Sequence, residues 1–213
     1  MFEGPVWGSE QGEMGVWEFA KSGAAPKSDE WENCGNLMKI IVTIIAVIVI
    51  AAAGVAALIY SGCYDIGTLN HDLPLVNSAL DTGMTRSVQR HAKGINAPAL
   101  SDPAMIRIGF THYREMCVSC HGAPGVKPEE IAEGLWPPAP DLAKTVGDWT
   151  PAELFWVTKH GIKFTAMPAW GPTHDDDKLW AIVAFLEQLP KLSPEDYKRM
   201  EAAAKSSPEG AQH

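Results

Sequence analysis

Positive charge is in short supply. Seventeen Lys and Arg stand against 26 Asp and Glu, for a formal net charge of −9 over 213 residues. The deficit holds on both sides of the long apolar run that starts at Ile40, where seven acidic residues and three basic ones precede it and a balance of about −5 follows. Neither part offers the basic surface that a phosphate backbone requires, which excludes nucleic acid as a partner. Cysteine is equally scarce, with only Cys34, Cys63, Cys117 and Cys120, and there is no second C-x-x-C. A thioredoxin-like redox pair is excluded as well, because no strand leads into Cys117 and no βαβ pattern surrounds it. Zinc would have to recruit two of His71, His91, His112, His160 and His174, which show no ligand spacing relative to the pair.

Charge of either sign is missing altogether from "IIVTIIAVIVIAAAGVAALIY", residues 40–60. About 21 residues at ~1.5 Å each span ~30 Å, the thickness of a bilayer's hydrocarbon core. A buried core helix seldom runs this long without a polar face, so the segment is expected to cross a membrane. A cleaved signal peptide is the main competitor. Against it, the run is long for a signal and no A-x-A site follows; "YSGC" ending at Cys63 resembles a lipoprotein cleavage box only loosely.

The rest of the chain is organised around this run. Residues 1–37 have no apolar period and read as a cytoplasmic, mostly flexible tail in which Trp7, Trp17 and Trp31 stand out; 38–60 form the membrane helix; 61–100 read as a linker with a short helix near Met84 to Ala92. A compact unit over 101–190 opens at Ser101, an expected N-cap with Pro103 in the first turn. Met105, Ile106, Gly109, Phe110 and Tyr113 then recur at helical spacing. A second helix is expected at about Thr150 to His160. A third begins after Thr173, with Asp175, Asp176 and Asp177 in its first turn, and stops at Pro190. Residues 191–213 look like a polar, solvated tail. The regular elements read along the chain are helices, so the expected fold is all-α.

The end of the first helix in that unit carries the chemistry. "CVSCH" is C-x-x-C-H, in which Cys117 and Cys120 form thioethers to the vinyl groups of one haem c and His121 binds the iron. One short turn presents both sulfurs along one edge of the macrocycle and sets the imidazole beneath the metal. Met167, in "TAMPAWG", is the candidate second axial ligand, since a soft, neutral thioether stabilises ferrous iron and Pro168 stiffens the chain beside it. His160 and His174 flank this loop and are the competing ligands; His71, His91 and His112 read as solvated or packed histidines. Trp136, Phe155, Trp156, Trp170 and Trp180 are candidate walls for the haem, and Phe164 and Ala166 candidate contact residues.

Residues 101–190 resemble the class I cytochrome c family, most closely the membrane-anchored, single-haem cytochromes c of bacterial respiratory chains. Gly109, Tyr113 and Cys117 keep the family's spacing, as do Ile182 and Phe185 in the last helix. The resemblance implies that the terminal helix crosses closely at Gly109. It also implies that the carbonyl of one of Pro137, Pro138 and Pro140 accepts the ring N–H of His121. It places the haem domain on the periplasmic side of the bacterial inner membrane. The implied function is one-electron transfer with no catalytic residue, the implied partners respiratory complex subunits, an oxidase or a soluble cytochrome. The two roles it leaves open are a tethered carrier and the fixed haem subunit of a larger oxidoreductase.

Overall fold

The computed structural model describes residues 28–67, 69 and 74–206, and the side chains of 35–67, 69 and 74–204. The chain divides into two units, Met1–Asp65 and Ile66–His213. Among the described residues the regular structure is helical, apart from one isolated bridge between Ala123 and Val126. The architecture is therefore all-α, as expected.

The first unit contains α1, Ser28–Ser61, a single helix of 34 residues. Within it Gly35–Ser61 is long and apolar enough to cross a membrane, at ~1.5 Å per residue a length of ~40 Å. Its large aliphatic side chains point outward, Ile50 at 71% exposure. The helix starts ten residues ahead of the expected boundary at 38. Extending a formed helix fixes one residue per added hydrogen bond, which is easier than nucleating one. Trp7, Trp17 and the side chain of Trp31 lie outside the described residues.

The second unit is built on the crossing of α3 (Pro103–Met116) and α8 (Asp176–Leu186). A Cβ on Gly109 would fall on the carbonyl oxygen of Ala181 and stand 2.9 Å from Cβ of Phe185, so only glycine lets the two backbones meet. Around the crossing, Phe110, Tyr113, Leu179, Ile182 and Phe185 are buried, with edge-to-face packing of Phe110 on Phe185 at 5.4 Å. The short helices α4 (Val118–His121), α5 (Glu130–Glu133) and α6 (Leu142–Thr145) follow α3. Then comes α7, Pro151–His160, opened by a full capping box between Thr150 and Glu153.

Several boundaries differ from expectation. Asp102, not Ser101, caps α3, its carboxylate accepting from the Ala104 N–H at 2.9 Å. α8 ends at Leu186, before Pro190, which sits instead in a 3₁₀ turn, Leu189–Lys191. The stretch read as a linker contains α2, Pro74–His91, an 18-residue helix whose Val88 is buried, with Ala92 buried just beyond its end. Ile95 and Leu100 also pack on the core, so the compact unit begins well before residue 101. The stretch read as a solvated tail contains α9, Pro194–Ser206. Its Tyr197 is only 1% exposed, and Met200 and Ala204 lie against the core.

Candidate functional site

Cys117 and Cys120 stand one turn apart where α3 passes into α4. The N–H groups of Cys120 and His121 both donate to the Cys117 carbonyl, at 3.1 and 2.9 Å, which places two sulfurs and an imidazole on one tight turn. Both thiols are free and half-buried. Burial, with Cys120 adding to it, pushes the Cys117 thiol up to about 12.

Two contacts hold this turn. Tyr113 donates its hydroxyl to the Gly122 carbonyl at 2.6 Å across nine residues, tying the exit of the turn to the last turn of α3. That hydroxyl is buried, and its pKa is raised, mainly by burial. Of the three candidate prolines, Pro140 is the one whose carbonyl meets Nδ1 of His121, at 2.8 Å. A carbonyl only accepts, so Nδ1 carries the proton and Nε2 keeps its lone pair for a metal. Burial lowers the His121 pKa, and the bond to Pro140 partly offsets the effect. A neutral imidazole with an orienting acceptor behind it is the state in which histidine ligates iron. The Pro140 carbonyl is in turn positioned by Asp141, which caps α6 by accepting from the Ala143 N–H at 3.1 Å.

Met167 lies in the loop between α7 and α8. Backbone bonds fold that loop onto the last turn of α7: Ile162 N–H to the Met167 carbonyl at 3.2 Å, Trp170 N–H to Thr158 at 3.1 Å and Gly171 N–H to Lys159 at 2.9 Å. Gly161, at φ +65°, leaves no room for a Cβ, since the Met167 carbonyl oxygen would be 2.7 Å from it. Thr165 bridges the inside of the loop, donating to the Ile162 carbonyl and accepting from the Met167 N–H. Cys117 and Trp170, three residues past Met167, pack against the same apolar cluster.

The competing histidines have other company. His160 is exposed, its Nδ1 turned to the Trp156 carbonyl and its ring stacked on Trp156 at 4.6 Å. His91 of α2 stacks on the same indole at 5.4 Å, so Trp156 receives α2. His174 meets His112 and Trp170 edge to face, at 5.2 and 5.5 Å. Phe155 and Trp180 form a stacked pair at 4.1 Å at the edge of the core. Phe164 is 84% exposed at the tip of the methionine loop, with a backbone φ of +63° that a side-chain-bearing residue rarely adopts.

The donors suit haem c: two free thiols on a C-x-x-C-H turn, and a neutral imidazole whose second nitrogen is already engaged. No curated protein was found to match the chain. Residues 104–186 match a family model described as cytochrome c oxidase, cbb3-type, subunit III. That segment opens one residue into α3 and closes on the last residue of α8, so it takes in both the C-x-x-C-H turn and the glycine crossing. This part of the chain belongs to the class I cytochrome c family, and covalently bound haem c is its cofactor.

Proposed function

We propose that the protein is a membrane-tethered, one-electron carrier of a bacterial respiratory chain, with haem c bound through Cys117 and Cys120 and its iron held by His121 and Met167. When bound, the haem supplies a one-electron iron couple. The observation that carries the reading is the His121 Nδ1 bond to Pro140, which leaves Nε2 aimed away from the backbone as a ligand. The chain's own groups do the rest. The cysteines fix the macrocycle covalently, and Pro140 holds the imidazole in one tautomer. The folded loop 161–171 restricts Met167, while His160 and His174 are engaged elsewhere. With His121 and Met167 both holding the iron, no position would be left for a substrate, so one-electron transfer would be favoured over substrate binding, and a soft sulfur ligand would raise the reduction potential.

The test is the absorption spectrum of the oxidised, full-length protein. A weak far-red band reports sulfur bound to ferric iron, and Met167→Ala should abolish it while leaving the haem covalently attached. Survival of the band in that variant removes Met167 as the ligand. Cys117→Ala with Cys120→Ala should leave no covalently attached haem.

Gly35–Ser61 supports a membrane anchor, with the second unit on the periplasmic side, where thiol-attached haem is matured in bacteria according to the family resemblance. A second reading is favoured by the matched family's description as an oxidase subunit: the chain as a fixed haem subunit of a larger membrane oxidoreductase. Extraction in mild detergent separates the two. Stoichiometric co-purification with large subunits selects the fixed subunit, and a monomer that reduces or oxidises soluble cytochrome selects the carrier.

A further inference from the structure

α9 lies beyond the matched segment, yet it is packed against the haem-bearing turn. At its start Pro194 closes on the loop that follows His121. A Cβ on Gly125 would stand 2.8 Å from Cβ of Pro194, and Gly125 itself needs the left-handed φ of +78° that the loop imposes. One turn later the Tyr197 ring meets Phe110 of α3 edge to face at 5.4 Å, inside the apolar cluster to which Cys117 also belongs. The helix thus touches the turn from both sides, at the loop after it and at the helix before it.

Tyr197 carries an anomaly. Its side chain is 1% exposed, and its hydroxyl is buried with no hydrogen-bond partner. An unmet buried hydroxyl costs on the order of the bond it lacks, so an otherwise equal phenylalanine would be the better residue at this position. Tyr113, the neighbouring phenol, shows the contrast, since its O–H is fully used on Gly122.

We propose that Tyr197 is a positioning residue for the haem: α9 braces residues 117–126, and the Tyr197 hydroxyl is the donor reserved for the Cys117 edge of the attached cofactor. The inference rests on the haem reading above. A donor directed at that edge places a positive dipole end beside the redox centre, which favours the reduced, more electron-rich state. The alternative use for the hydroxyl is a water in the cleft between Pro124–Val126 and α9, which Lys198 and Glu201 also line.

The experiment compares full-length, haem-loaded wild type with Tyr197→Phe, by redox titration, oxidised absorption spectrum and thermal melting. Phenylalanine keeps the ring and its contact with Phe110, so folding is not at stake. The expected result is a redox equilibrium shifted about 3- to 10-fold toward the oxidised form, ~30–60 mV lower for one electron, with the far-red band retained. An unchanged or raised potential overturns the proposal whatever the melting temperature does: a lowered melting point then assigns the hydroxyl to a water, a raised one to an unmet group. A shift accompanied by loss of the far-red band also overturns it, because ligation and not the hydroxyl has then changed. The wild-type spectrum judges the haem reading separately, since absence of covalent haem there removes that reading before Tyr197→Phe is compared.

Discussion

Gly109→Ala is the substitution whose outcome the backbone itself dictates. The added methyl would stand 1.8 Å from the Ala181 carbonyl oxygen and 2.5 Å from the carbonyl carbon, so the obstacle is main chain and cannot swing aside. Reaching ordinary contact requires α3 and α8 to part by on the order of 1 Å or more. α8 has little freedom to move, because every residue from Ala181 to Leu186 is buried, as is Leu179. Overpacking of this kind costs ~1–3 kcal/mol or somewhat more. Alanine gains back ~0.5–1 kcal/mol over glycine inside a helix. The net expectation is a loss of ~2 kcal/mol, which for a unit between the 100- and 150-residue classes lowers the melting temperature by about 6–10 °C. Gly83→Ala is the matched control, since nothing lies within 4 Å of its Cβ position on α2; it should be neutral or stabilising by up to ~1 kcal/mol. Both variants are read by thermal melting of the detergent-extracted, haem-loaded chain followed by far-UV circular dichroism. A Gly109→Ala protein melting at or above wild type would refute the close crossing as the reason for the glycine.

Three further outcomes follow from the same contacts. Val88→Ala, which empties a site of 1% exposure between α2 and the rest of the unit, should cost ~1–2 kcal/mol and increase limited proteolysis around residues 74–92; unchanged cleavage would mean that α2 is not docked in solution. Ser193→Ala removes a reciprocal cap in which Ser193 Oγ accepts from the Asp196 N–H at 3.1 Å while the Asp196 carboxylate accepts from the Ser193 N–H at 3.0 Å. It should lower stability by ~1 kcal/mol, and an unaltered melting temperature counts against α9 as a folded element. The Asp175 carboxyl is held below its ordinary value of 3.8 chiefly by the Lys178 backbone N–H that it caps. Its stabilising contribution is therefore present above the unfolded-state value and lost as pH falls through the folded one. The stability gap between wild type and Asp175→Asn should be widest above about pH 4 and close on further acidification; a gap independent of pH would mean that the charge is not what caps α8.

What could be read from the sequence was whatever covalent or steric demand confines to a few residues. C-x-x-C-H is such a demand, and so is a glycine four residues ahead of Tyr113, because no other side chain fits beneath Ala181. The choice of Pro140 over Pro137 and Pro138 was not legible, since all three carbonyls stand within four residues and only the folded course of the loop decides which one faces His121. α2 was read only over its second half, near Met84 to Ala92, and α9 not at all, for a different reason. Both are mostly polar, and each docks through two or three apolar side chains: Val88 and Ala92 for one, Tyr197, Met200 and Ala204 for the other. Helices of this composition gain most of their stability from the surface they meet, so the deciding contact lies outside the segment being read. Two local signals were nevertheless present. Ser193 and Asp196 have the spacing of a capping box, and Tyr197, Met200 and Ala204 recur at i, i+3 and i+7. The consequence bears on the site itself. Because the segment taken for a solvated tail packs on Phe110 and closes over Gly125, the environment of Cys117 is set partly by residues after 186. A fragment ending with the matched segment therefore lacks part of what holds the C-x-x-C-H turn.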